Sequence, residues 1–119
     1  MVKVVYAGQE KRILWVEDGP GQFRGEEFFL EIDVKGQARL FALFKRFADV
    51  GRIVNEEKFR HEEDGIYCFK SGQLRIFCFF DGRDVLVTSG TIKKRRRLKR
   101  TELDRAKRIR NTYLEGQSN

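Results

Sequence analysis

Seven cations crowd one short stretch: Lys93, Lys94, Arg95, Arg96 and Arg97, with Lys99 and Arg100 just behind. Side chains of this kind bind phosphate, because each phosphate they neutralise releases condensed counterions. The block is local. Residues 91–115 hold eleven basic and three acidic residues, net +8, and the rest of the chain sums to −1 within a total of +7. A block like this marks a nucleic-acid partner. It also fits a solvated tail or a surface for an acidic protein, and charge alone leaves all three open.

A second set of candidates comes from hairpin geometry. Residues 66–70, 73–80 and 84–88 read as a three-strand meander, and Ser71-Gly72 and Asp81-Gly82 suit two-residue turns. With those turns Lys70 lies opposite Gln73, Cys68 opposite Arg75 and Ile66 opposite Phe77, and opposed residues share a face. One face then carries Tyr67, Phe69, Leu74, Ile76, Cys78 and Phe80, and is the core side. The other carries Lys70, Gln73, Arg75, Phe77 and Phe79, with Thr88 beside Arg75 and Leu86 beside Phe77. Cations at one end and aromatics at the other offer phosphate contact and base stacking. A helix covering that face would instead leave Lys70 and Arg75 as edge charges. The third strand exits through Ser89-Gly90-Thr91 into the basic run, which can converge on the Arg75 end.

The elements that must position these residues follow from periodicity. Residues 2–7 and 12–16 are β-like and separated at Gly8, which suggests an N-terminal hairpin. Asp18-Gly19-Pro20-Gly21 reads as a loop. Residues 26–32 carry Phe28, Phe29 and Ile32 at helical spacing. Residues 34–50 carry Ala38, Leu40, Phe41, Phe44, Phe47 and Ala48 as one apolar stripe, with Asp33 as cap and Gly51 as stop. This aromatic stripe is core rather than a cofactor box. A last helix starts at Thr101, where Thr101-Glu102-Leu103-Asp104 resembles a capping box, and Leu103, Ala106, Ile109, Tyr113 and Leu114 share one side. The fold class is α+β: a strand or hairpin, two helices, a meander and a C-terminal helix, in one domain over residues 1–119.

Composition excludes several classes. No apolar run reaches the roughly 18 residues that a membrane span needs. The opening Met-Val-Lys-Val-Val-Tyr is strand-like and lacks the three regions of a signal peptide, so secretion by that route is not expected. Two cysteines and one histidine give no disulfide framework and no metal-ligand spacing, so neither a metal nor a cofactor is expected. Cys68 and Cys78 fall on opposite faces and read as reduced structural thiols of a cytoplasmic protein. His61, between Lys58-Phe59-Arg60 and Glu62-Glu63-Asp64, reads as an incidental loop residue.

Five stretches together resemble a known family. They are Gly25-Glu26-Glu27-Phe28-Phe29, then Phe47-Ala48-Asp49-Val50-Gly51, Gly65-Ile66-Tyr67-Cys68-Phe69-Lys70 and Leu74-Arg75-Ile76-Phe77-Cys78-Phe79-Phe80. Last comes Val85-Leu86-Val87-Thr88-Ser89-Gly90-Thr91-Ile92-Lys93-Lys94, ahead of a helix with Glu102 and Arg105-Ala106. In this order they resemble the RelE/HigB-like toxins of bacterial toxin–antitoxin pairs, in particular the phage-derived Gp49-like branch. The resemblance implies a small RelE-like domain whose antiparallel sheet packs on helices. It implies an endoribonuclease that cuts mRNA on the ribosome and is neutralised by a cognate antitoxin, often of helix-turn-helix type. The family's sheet arginine falls on Arg75, its preceding-strand cation on Lys70 and its lysine pair on Lys93 and Lys94.

The histidine and C-terminal tyrosine that many relatives place near the cut phosphate have no counterpart here: Tyr113 lies on the apolar side of the last helix. The base that deprotonates the 2′-OH is then expected to be a lysine whose pKa is lowered by neighbouring cations, with Lys93 and Lys94 the crowded pair. Arg75 stabilises the transition-state charge, and Lys70 holds the phosphate or protonates the leaving oxygen. Gln73, Arg95, Arg96, Arg97, Lys99 and Arg100 anchor messenger or ribosomal RNA. A non-catalytic basic RNA-binding or protein-interaction domain of the same fold is the alternative.

Overall fold

The computed structural model describes residues 1–117. Short apolar runs make strands β1 (Val2–Ala7) and β2 (Arg12–Val16), followed by helices α1 (Arg24–Glu31) and α2 (Val34–Val50). Strands β3 (Phe59–Glu63), β4 (Ile66–Ser71), β5 (Leu74–Asp81) and β6 (Asp84–Ile92) come next, and helix α3 (Arg100–Gln117) closes the described chain. The six strands form one sheet in the order β1-β2-β6-β5-β4-β3. The architecture is α+β, with α1 and α2 on one face and α3 on the other.

The sheet is not wholly antiparallel, as the sequence had suggested. β2 runs parallel to β6, while the other neighbours are antiparallel. A parallel pairing needs a crossover rather than a hairpin, and the segment from α1 to β5 supplies it. The second departure is β3. The charged run Phe59-Arg60-His61-Glu62-Glu63, read as loop, is an edge strand joined to β4 by Asp64-Gly65, both at positive φ (47° and 75°). Charged side chains are what edge strands carry to resist pairing with other chains.

The meander forms, but each turn sits one residue later than expected. Ser71 pairs with Leu74 and Asp81 with Asp84, so the loops are Gly72-Gln73 and Gly82-Arg83. Positive φ falls on the first loop residue, Gly72 (58°) and Gly82 (60°), as in hairpin turns that open with glycine. Lys70 therefore faces Arg75, not Gln73, and Cys68 faces Phe77, not Arg75. The pairing shifts by two residues, so the face assignment survives: Phe69, Ile76 and Cys78 lie towards α2, and Cys68, Phe77 and Phe79 towards α3. The later second turn puts Leu86 opposite Phe79 rather than Phe77, and a bulge at Phe77/Cys78 adds one more residue, so Arg75 faces Thr91 rather than Thr88.

Both predicted caps of α2 are present. The Asp33 carboxylate accepts from the Gly36 N–H at 2.8 Å. Gly51, at φ 94°, donates to the Phe47 carbonyl. Leu40, Phe44, Phe47 and Ala48 are buried, whereas Ala38 and Phe41 of the predicted stripe are exposed. Phe44 is fully buried, its ring centroid 6.0 Å from Trp15, 6.0 Å from Phe29 and 4.9 Å from Phe69.

Helix α3 covers the second face. Leu103, Ala106 and Ile109 bury against Leu14, Val16, Phe77, Phe79 and Leu86. Tyr113 packs edge-on to Phe79 at 5.7 Å, and Leu114 is exposed. The helix starts at Arg100, so Thr101 lies inside it and does not cap it; the Glu102 N–H bonds to the Lys99 carbonyl instead. Three carboxylates pin the helix from outside, one of them Asp64, which accepts from Arg110 at 3.2 Å. Asp18 accepts from Arg108 at 2.9 Å and from Arg24 at 2.7 Å. Glu63 of β3 takes both Arg100 and Lys107.

Candidate functional site

Beside the start of α3 the sheet opens into a cleft of about 270 Å³. Lys70 of β4 and Arg75 of β5 enter it from opposed sheet positions, and Lys93, Arg96 and Arg97 enter from the segment after β6. Register explains the meeting. Lys70 and Arg75 share the α3 face and sit at the turn end of their hairpin, where Leu103 of α3 forms part of the cleft wall. The Lys93 N–H donates to the Gln73 carbonyl at 2.7 Å, which ties the start of the basic segment to that same turn.

Arg75 is buried, 9% exposed. Its Nη1 donates to the carbonyls of Gly72 at 2.6 Å and Leu74 at 2.9 Å. Among the described residues no buried side-chain nitrogen lacks a partner, so the uncommitted Nε and Nη2 reach the cleft. The guanidinium is thus clamped on one edge and free on the other, a geometry suited to an oxyanion. Lys70 is half-buried and its Nζ donates to the Glu56 carbonyl at 3.0 Å. Desolvation, then the charges of Arg75 and Arg60, hold its pKa below the usual lysine range. Lys70 thus shares the crowding expected of Lys93, which lines the same cleft.

The strand absent from the sequence reading contributes here too. Arg60, Glu62 and Glu63 of β3 line the cleft. A bulge between His61 and Glu63 leaves Glu62 without a partner on β4, and its carboxylate lies 3.6 Å from the Arg60 guanidinium. The Asp64-Gly65 pair was the signal for this hairpin, since Asp-Gly supplies the two positive φ angles of a tight turn. His61 lies on β3, not in a loop; its Nε2 accepts from the Gly65 N–H at 3.2 Å and its ring is 4.9 Å from Tyr67.

The remaining predicted residues are dispersed. Lys94, Arg95 and Lys99 line a neighbouring cleft, which shares Lys93, Arg97 and Leu98 with the first. Arg100 turns away to Glu63 and Asp104. Its pairing, together with Lys107, holds the Glu63 carboxyl down at about 2. Gln73 sits in the β4–β5 turn and lines a groove with Asp33 and Arg39 on the α1–α2 side. Phe77 and Phe79 lie beneath α3, 0% and 1% exposed, and stack on nothing from solvent. Both thiols are buried and free, and burial pushes Cys68 up to about 12.

The fold and the cleft define a small α+β chain that gathers cations at one end of its sheet. It belongs to the family described as Phage derived protein Gp49-like (DUF891), whose model matches residues 27–111. That span runs from α1 into α3 and includes every cleft residue named above. No curated protein matches the chain. Among the described residues, no helix is long and apolar enough to cross a membrane.

Proposed function

We propose that the chain is the toxin of a type II toxin–antitoxin pair, with a RelE-like fold: an endoribonuclease that cuts mRNA on the ribosome in the cytoplasm. A cognate antitoxin, of helix-turn-helix type, would neutralise it. The observation that carries this reading is Lys70 facing Arg75 across β4 and β5, in a cleft that also receives Lys93, Arg96 and Arg97. A lysine of lowered pKa beside a clamped arginine supplies a base and an oxyanion partner together.

In this mechanism neutral Lys70 Nζ takes the proton of the 2′-OH. The 2′-oxygen attacks the adjacent phosphorus and the P–O5′ bond breaks. Arg75, through Nε and Nη2, holds the charge that develops on the non-bridging oxygens. Protonated Lys93 delivers a proton to the leaving 5′-oxygen. The products are a 2′,3′-cyclic phosphate and a 5′-hydroxyl. Arg96 and Arg97 hold the flanking backbone.

Induced expression in a bacterial host tests the reading, wild type beside Arg75→Ala, with growth followed and mRNA 5′ ends mapped. Growth arrest with new mRNA ends, both lost in the folded variant, is the expected result. A folded wild type that neither arrests growth nor creates ends leaves the cleft as a non-catalytic RNA- or protein-binding surface.

A further inference from the structure

We propose that the second cleft, about 460 Å³, is a nucleobase subsite that selects a base with N–H donors on its Watson–Crick edge, guanine above the others. The proposal rests on the RNA reading of the first cleft and names what lies beside the bound phosphate. Lys93, Arg97 and Leu98 line both clefts, so a single segment of chain separates them. A strand whose phosphate lies in the first has an attached base within reach of the second.

The lining of the second cleft suits a base. Phe28 of α1 is half-buried there and its ring rests on Gly90 of β6. A Cβ at Gly90 would come within 2.3 Å of that ring, so the missing side chain is what lets Phe28 seat against the strand. Stacking on an aromatic ring is the general way proteins hold an unpaired base. Phe28 thus takes the place of Phe77 and Phe79, which α3 buries.

Glu102 lines the same cleft. Among the described residues it is the one carboxylate in that lining, and it accepts hydrogen bonds, which the surrounding cations cannot. Among the described residues its side chain pairs with Arg105 alone, at a long 3.5 Å. No buried side-chain oxygen is unpartnered among the described residues, so its other oxygen is open to solvent. Carboxylate oxygens accept from base amino and imino groups. Guanine offers N1–H and N2–H side by side, matching the two oxygens. Adenine, cytosine and uracil each offer a single donor group on that edge.

The test is binding of the full chain to 2′-O-methyl uridine hexamers, which cannot undergo 2′-attack, carrying one central guanine, inosine, adenine or cytosine. Guanine is expected to bind about tenfold tighter than adenine, with inosine between them. Glu102→Gln should erase the preference and leave the adenine hexamer within about twofold. Phe28→Leu should weaken both purine hexamers by about tenfold. Equal affinity for all four hexamers, or an unchanged preference in the near-isosteric Glu102→Gln, overturns the subsite. Salt-dependent, Arg75-dependent binding without base preference overturns the subsite alone. Failure to bind any hexamer at low salt overturns the RNA reading with it.

Discussion

Replacing Arg75 by lysine keeps the charge and removes the fork, which makes it the sharpest probe of the cleft. Arg75 now meets two demands at once: Nη1 satisfies the Gly72 and Leu74 carbonyls, at 2.6 and 2.9 Å, while Nε and Nη2 stay free. A lysine has one ammonium at the end of a flexible stem and serves the turn carbonyls or a phosphate, not both. The turn carbonyls lie beside solvent, so the loss in folding stability should be about 1 kcal/mol. Losing an oriented donor to the transition state costs about 3 kcal/mol, roughly a hundredfold in rate. Single-turnover cleavage of a transcript on ribosomes, with urea unfolding of the same preparation, measures both. Cleavage by Arg75→Lys within about threefold of wild type would refute the claim that the fork geometry matters.

Three further predictions follow from the same geometry. If Lys70 is the base, the cleavage rate rises with pH as its proton leaves. The inflection lies below the ordinary lysine value of about 10.4, and Lys70→Arg flattens the rise; a pH–rate profile of both proteins checks this. Glu63 is held at about 2 by Arg100 and Lys107, and Asp18 is lowered mainly by Arg108, so their hold on α3 is full above about pH 4.5. It should be lost as pH falls towards 2, and the urea midpoint of wild type should drop more steeply over that range than that of Glu63→Gln. Truncating the fully buried Phe44 to alanine should cost about 3–5 kcal/mol in denaturant unfolding, because Trp15, Phe29 and Phe69 close around its ring.

What was legible in the chain was mostly local. Residues 2–7 and 12–16 are strands with the bounds that their β-like runs suggested, and Asp33 and Gly51 frame α2 as their chemistry requires. The meander faces were legible because moving a two-residue turn by one position shifts the pairing by two, which keeps every side chain on its side. The turn centres were not, because Ser-Gly and Asp-Gly looked like loop pairs while the positive φ belongs to the first residue of Gly72-Gln73 and Gly82-Arg83. Long-range facts were hidden. Nothing near β2 announces that it lies parallel to β6, and β3 has the charged pattern of an exposed segment. The site divides the same way. Lys70 and Arg75 meet through hairpin geometry, and Lys93 follows from the strand exit. Arg60 needed β3, the burial of Phe77 and Phe79 needed α3, and Arg100 was read as an RNA contact because its partner Glu63 lies 37 residues away.

The chemistry of the cut ends tests the central claim most directly. Ribosome-bound mRNA treated with the chain should yield 5′-hydroxyl ends opposite 2′,3′-cyclic phosphates, formed by wild type and lost in folded Lys70→Met and Arg75→Ala. Ends bearing 5′-phosphates, or the same ends at the same rate from all three proteins, would show that the Lys70–Arg75 cleft does not cleave RNA by 2′-OH attack.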